Sequence, residues 1–152
     1  MYKPILCLDF DGVIHSYTSG WKGPRIIPDP PVPGALQFLQ EALLHFDIHI
    51  LSSRSHQWGG RRAMKKWLIQ SFVNEAEPYD DCPEWLRDEV AAKAFADSWE
   101  EDARQFGTEI VKAIHWPIFK PPAFLTIDDR AMTFNGVFTD PRELKQFKPW
   151  YK

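Results

Sequence analysis

The chain is 152 residues long, 44% hydrophobic and 26% charged, with a formal net charge of −3. That length and balance fit one globular domain able to bury its own core and exclude a disordered chain, while the acidic balance excludes broad non-specific affinity for nucleic acid but leaves room for a local basic patch. With no apolar run near the length of a membrane span, no targeting pattern and only two cysteines, Cys7 and Cys82, the expectation is a cytoplasmic protein with no membrane contact, no disulfide framework and no obligate protein partner.

Ile5 to Leu8 is a short apolar run, the pattern of a central parallel strand buried on both faces, with Cys7 as a small core residue. It ends abruptly in Asp9-Phe10-Asp11-Gly12-Val13. The two-residue spacing keeps Asp9 and Asp11 on one side of an extended chain, and Gly12 lets the backbone turn and come close to a ligand. Open α/β sheets carry their chemistry just past the carboxyl ends of such strands, and two neighbouring carboxylates there call for a divalent cation, a lysine or both. Residues 15–31, rich in turn formers and aromatics, read as a flap or short hairpin beside this strand end. Tyr17, Trp21 and Lys22 within it are either a substrate-facing lid or the residues that pin the loop.

Pro33-Gly34 opens a helix to about His45, with Leu36, Leu39, Leu43 and Leu44 in its apolar period. A second strand follows from Phe46 and ends in Ser52-Ser53-Arg54. A hydroxyl at that place can donate to a phosphoryl oxygen without adding charge, although serine is equally an ordinary turn residue. The next helix spans about 57–72, with Trp58, Met64, Trp67, Leu68 and Phe72 apolar and Arg61, Arg62, Lys65 and Lys66 on a solvated face. Of the basic residues, Arg54 and Arg61 or Arg62 are the ones placed to see a ligand. Residues 74–83 form an acidic connection in which Asp80 and Asp81 read as a solvated turn. Pro83 begins a long helix to about Phe106, stopped by Gly107, and residues 108–116 read as a third strand in which His115 is a packed histidine. Beyond Lys120, another apolar run ends in paired carboxylates at Asp128-Asp129. A short strand or turn over 131–138, a brief helix from Asp140-Pro141 and an aromatic tail through Trp150 and Tyr151 complete the chain.

Asp9-Phe10-Asp11-Gly12-Val13 resembles the first motif of the haloacid-dehalogenase-like hydrolase superfamily, whose members are mostly phosphatases. Ser52 at its strand end resembles the second motif, and Lys120 with Ile127-Asp128-Asp129 resembles the third and fourth. The four stand in family order over roughly residues 4–54 and 118–138, leaving a helical insert at about 75–107 without a family role. The resemblance implies a single domain over residues 1–152, an α/β fold with a three-layer Rossmann-like parallel sheet, helices on both faces, a small flap and no large cap domain. It also implies a Mg²⁺-dependent phosphomonoester hydrolase. In that reading Asp9 is the nucleophile, Asp11 the general acid and base, and Ser52 and Lys120 complete the catalytic set. Gly12, Ser53 and Arg54 bind substrate. The metal is held by Asp9, Asp11 through its backbone carbonyl, and the Asp128-Asp129 pair, with Asp129 the direct ligand and Asp128 its support, or the reverse.

Ser52-Ser53-Arg54, Arg61-Arg62 and Ile127-Asp128-Asp129-Arg130 are similar to the 3′-phosphatase domain of phage polynucleotide kinases, and the Asp-Gly-Val and Asp-Asp-Arg patterns to deoxyribonucleotidases. Both imply a small phosphorylated substrate such as a nucleotide, or a nucleic-acid end. The competing functions are a phosphotransferase, for which no Gly-rich triphosphate loop is present, and a non-catalytic binding module, against which all four motifs being chemically competent argues.

Overall fold

The structure is a computed structural model and describes residues 2–76 and 89–152. Three short strands, β1 (Ile5–Leu8), β2 (Asp47–Ile50) and β3 (Leu125–Ile127), form a parallel sheet in the order β2-β1-β3. β1 can occupy the centre because Leu6, Cys7 and Leu8 are all buried, as an apolar run without alternation requires. Its register is set on both sides, Leu8 lying opposite Ile50 of β2 and Ile127 of β3, so the chain leaves all three strands at the same end of the sheet. β3 is an open edge, with Leu125 and Ile127 both exposed.

Parallel neighbours need a crossover, and between β1 and β2 it is α1 (Ala35–His45), which buries Leu36, Leu39 and Ala42. Leu44, placed in the apolar period by sequence, is exposed instead. α2 (Gly60–Glu75) buries Met64, Leu68 and Phe72 at four-residue intervals. Trp58 precedes this helix and is 83% exposed rather than part of its stripe. α3 (Glu89–Ala113) packs along α2, and α4 (Pro141–Leu144) is a single turn whose Asp140 side chain accepts the Arg142 N–H at 2.9 Å. Leu8, Phe10, Leu39, Ile48, Ile50, Met64 and Leu68 meet in one core. At about 1.5–3 kcal/mol for each such buried side chain, this core is what keeps the strand ends in a fixed relation.

The largest departure from expectation falls on residues 108–116. A strand is expected there after a stop at Gly107, yet α3 continues through Gly107 to Ala113. The glycine serves packing instead. A Cβ at Gly107 would stand 3.1 Å from the Phe72 Cβ and 3.3 Å from the Ile69 backbone, so α2 and α3 approach each other closely here. Past the helix, His115 alone keeps an extended pairing, an isolated parallel bridge to His49. Residues 131–138 form an irregular exposed segment, not a strand. Asp80, Asp81, Cys82, Pro83, Trp85 and Leu86 lie outside the described residues. No helix among the described residues is long and apolar enough to cross a membrane.

Candidate functional site

Asp9 directly follows β1, and Asp128 and Asp129 directly follow β3. Because these strands are adjacent, parallel and in register, their carboxylates meet: ligand oxygens of Asp9, Asp128 and Asp129 all lie within 4.8 Å of one another. That convergence bears on the protonation of Asp9. Burial first, then the nearby Asp128 and Asp129 carboxylates, push the Asp9 pKa up to about 8, against the help of a hydrogen bond from the Phe10 backbone. The Asp129 side chain is 1% exposed. Its Oδ2 accepts the Tyr151 hydroxyl at 2.8 Å, while its Oδ1 is buried with no partner. An orphaned carboxylate oxygen among three converging acids is an arrangement that a divalent cation would relieve, so the residues present fit a hard metal ion with oxygen ligands.

Gly12 makes this closeness possible. Its φ is +89°, and a Cβ there would come within 2.7 Å of both Asp129 Oδ2 and the Tyr151 ring. The C-terminal tail also reaches the turn, since Trp150 Nε1 donates to the Gly12 carbonyl at 2.7 Å and Arg130 Nη2 donates to the Tyr151 hydroxyl at 3.1 Å. In sequence Trp150 and Tyr151 stand out only as an aromatic tail, and Arg130 only as the last residue of the Asp-Asp-Arg pattern, with no link between them. Nothing local ties residues 150 and 151 to a turn so far back in the chain.

Asp11 sits in a different environment two residues from Asp9. Its Oδ2 accepts Arg54 Nε at 2.8 Å, and its Oδ1 accepts His15 Nδ1 at 2.8 Å and Arg54 Nη2 at 3.1 Å. Burial pushes its pKa up, but the hydrogen bonds and charges of His15 and Arg54 outweigh burial and the net shift is downward. The tautomer of His15 follows from its other nitrogen. Nε2 accepts the Asp29 backbone N–H at 3.2 Å, which leaves the proton on Nδ1 to be donated to Asp11. His15 is wholly buried, and its partner Asp29 accepts the Ser19 N–H at 2.8 Å and the Ser19 hydroxyl at 2.5 Å. The four-residue step from Asp11 to His15 was the one sequence signal that could have found this pair.

Arg54, expected at the substrate, is 0% exposed and directs its guanidinium inward. Besides Asp11 it donates to the flap carbonyls of Gly23, Pro24 and Ile26, at 2.7, 3.1 and 3.2 Å, and lies 4.6 Å from the Trp21 ring centre. Tyr17 packs edge-on against Tyr151, with ring centres 5.8 Å apart. Trp21 and Tyr17 therefore hold the flap down. Lys22 is exposed.

Ser52 is buried at the end of β2, where its hydroxyl accepts the Arg54 N–H at 3.2 Å and keeps its own proton free to donate. Ser53 is exposed. Lys120 is exposed on the segment before β3; its charge reaches Cys7, but no ion pair joins it to the three carboxylates. The Asp11 side chain stands outside the three-carboxylate group.

Two outcomes follow. A protonated Asp9 is favoured by the metal-free fold, whereas the unfolded chain releases that proton near the ordinary 3.8, so the group's contribution is fully present below that value and is lost as pH rises through about 8. Melting temperature of EDTA-treated protein should therefore fall between about pH 5 and about pH 9, and Mg²⁺ should flatten the fall. An Asp9→Asn chain with the same slope would locate the effect elsewhere. The downward shift of Asp11 acts only below the ordinary carboxyl range and does not overlap. Second, Arg54→Met should cost about 3–5 kcal/mol in urea denaturation by leaving Asp11 buried and unpaired, and the double variant with Asp11→Leu should recover a substantial part. Wild-type stability of the single variant would be inconsistent with a buried pair.

No family model matches the chain, and neither does any curated protein or solved structure.

Proposed function

We propose that the chain is a divalent-cation-dependent phosphomonoester hydrolase of the haloacid-dehalogenase-like type, on a three-layer Rossmann-like core. The observation that carries this reading is the convergence of Asp9, Asp128 and Asp129 at the ends of adjacent parallel strands. Asp11 stands two residues on, and the buried Ser52 lies two residues past the end of β2. An all-oxygen set suits Mg²⁺, which keeps several waters and needs few protein ligands. Bound there, it would offset charge on the phosphoryl group and hold Asp9 in its ionised, nucleophilic form.

Asp9 attacks phosphorus to give an aspartyl-phosphate, and Asp11 delivers a proton to the leaving oxygen. The same Asp11 then removes a proton from the water that hydrolyses the acyl-phosphate. Arg54 and His15 hold Asp11 ionised in the absence of substrate, which is the state of a base. An arriving phosphomonoester raises its proton affinity through like-charge repulsion, so that Asp11 takes up from solvent the proton it then gives to the leaving oxygen. Ser52 donates to a phosphoryl oxygen, and Lys120, exposed and unpaired with the acids, supplies further positive charge. Hydrolysis of p-nitrophenyl phosphate should disappear with EDTA and return with Mg²⁺, with Ca²⁺ a poor substitute. Asp9→Asn should abolish turnover. Undiminished turnover in that variant is incompatible with covalent catalysis at Asp9, and a folded wild-type chain inert with Mg²⁺ on a phosphomonoester panel favours a binding module.

A concave basic and aromatic surface favours a nucleic-acid end over a small phosphomonoester. Arg25, Trp58, Arg62 and Lys66 line one depression, and Ser55, His56 and Arg61 line another that shares Trp58 and Arg62. Ser55 hydrogen-bonds the Ser52 backbone at 3.0 Å, so the surface continues from the strand end that carries Ser52. An exposed tryptophan beside cationic side chains can stack a base while the charges follow the backbone. Trp58→Ala and Arg62→Ala should raise KM for a 3′-phosphorylated oligonucleotide more than for p-nitrophenyl phosphate, and salt should weaken only the former. Equal effects on both substrates would leave a small-molecule phosphatase.

A further inference from the structure

The outer edge of β2, across the sheet from β3, carries a second cluster of different chemistry. His115 N donates to Ile48 O at 2.8 Å and Ile50 N donates to His115 O at 2.9 Å, so His115 and His49 are parallel bridge partners. Bridge partners project their side chains to the same face of a sheet, and Asp47, two residues before His49, projects there too. The backbone pairing thus forces the three together. The imidazoles stack with centres 4.7 Å apart and planes 23° from parallel. His49 Nε2 lies 3.3 Å from Asp47 Oδ2, and His115 Nε2 lies 3.2 Å from Asp47 Oδ1.

The geometry points to a binding site for a divalent transition-metal ion of the Zn²⁺ class, held by His49, His115 and Asp47. The convergence of one carboxylate and two imidazoles, enforced by the pairing, carries the assignment. The two Nε2 atoms stand 3.3 and 3.2 Å from the two different oxygens of Asp47, long for hydrogen bonds and near the roughly 3.3 Å that separates a nitrogen from an oxygen ligand about 2.0–2.1 Å from one tetrahedral ion. All three ligand atoms lie within 4.8 Å of one another. His49 Nδ1 is buried with no partner, so the nitrogen facing Asp47 is the polar anchor of that ring. Two imidazoles and one carboxylate select Zn²⁺, Co²⁺ or Ni²⁺ over Mg²⁺ and Ca²⁺, which distinguishes this site from the all-oxygen centre beyond β1 and β3. His115 is 62% exposed in its side chain, leaving an approach for the ion and for a water as fourth ligand. The site joins β2 to the segment that follows α3, two parts of the chain otherwise held there by two backbone hydrogen bonds, so an ion bound to it stabilises the folded state by linkage. The assignment is independent of the phosphatase reading.

Co²⁺ titration of the full chain, read by visible absorption, tests it. Four-coordinate nitrogen-containing Co²⁺ absorbs far more intensely than octahedral oxygen-bound Co²⁺, so the two centres are separable. Wild type and Asp9→Asn should both develop the intense bands and should both gain melting temperature with Zn²⁺ in the presence of excess Mg²⁺. His115→Ala and Asp47→Asn should lose the bands and bind Zn²⁺ at least about 100-fold more weakly, with circular dichroism reporting that each remains folded. Absence of intense bands in wild type, or bands and Zn²⁺ stabilisation that persist in both folded variants, would overturn the site.

Discussion

The buried pair between Arg54 and Asp11 is the constraint on which the rest of the site depends. Arg54 comes from the end of β2 and Asp11 from the end of β1, and the guanidinium also collects three carbonyls of the flap. A single side chain thereby joins two strand ends and the loop that covers them. Such a pair is a poor source of net stability, because desolvation consumes most of the Coulombic gain, but either partner alone would be strongly destabilising. Its effect is therefore geometric: strand ends and flap are locked into one arrangement, with His15 and Asp29 continuing the network into the flap.

That lock also separates two aspartates that sequence treats alike. Asp9 faces Asp128 and Asp129 and has its pKa raised; Asp11 faces Arg54 and His15 and has its pKa lowered. Opposite shifts two residues apart are how one turn can present two carboxyl groups for different tasks. Asp9 needs a cation to ionise at neutral pH, whereas Asp11 is ionised already. In the proposed mechanism the nucleophile is thus conditional on metal, and the proton carrier on the charge of the incoming substrate.

What sequence reveals here is whatever depends on neighbours in the chain. The apolar run into Asp9, the apolar face of α1 and the strand ending in Asp128-Asp129 are local patterns, and all three elements exist at about the expected places. Residues 108–116 failed for an equally physical reason. Ile110, Val111 and Ile114 satisfy either a short buried strand or the last turns of a helix, and the close approach of α3 to α2 at Gly107 decides for the helix. Arg54 was recognisable as important but not as buried, since its partner lies 43 residues away and its flap acceptors are backbone carbonyls with no sequence signature. Trp58 escaped for the opposite reason: the apolar run suggests a helix from about residue 57, whereas α2 begins only at Gly60, two residues after Trp58.

The C-terminal tail shows how covering a site can leave it open to a ligand. Tyr151 donates its hydroxyl to one oxygen of Asp129, and Arg130 approaches that same oxygen at 3.5 Å. Both contacts fall on Oδ2. The carboxylate is thereby fixed in rotation, with Oδ1 left unpartnered in the company of Asp9 and Asp128. A hydrogen bond to one oxygen of a carboxylate that binds a metal through the other has this use in general, orienting the free oxygen and limiting its freedom before an ion arrives. Trp150, bonded to the Gly12 carbonyl, holds the tail in place from the β1 side of the same turn. Gly12 must then satisfy two demands at once, a left-handed backbone and room for both Asp129 and Tyr151, and a residue with any side chain fails both.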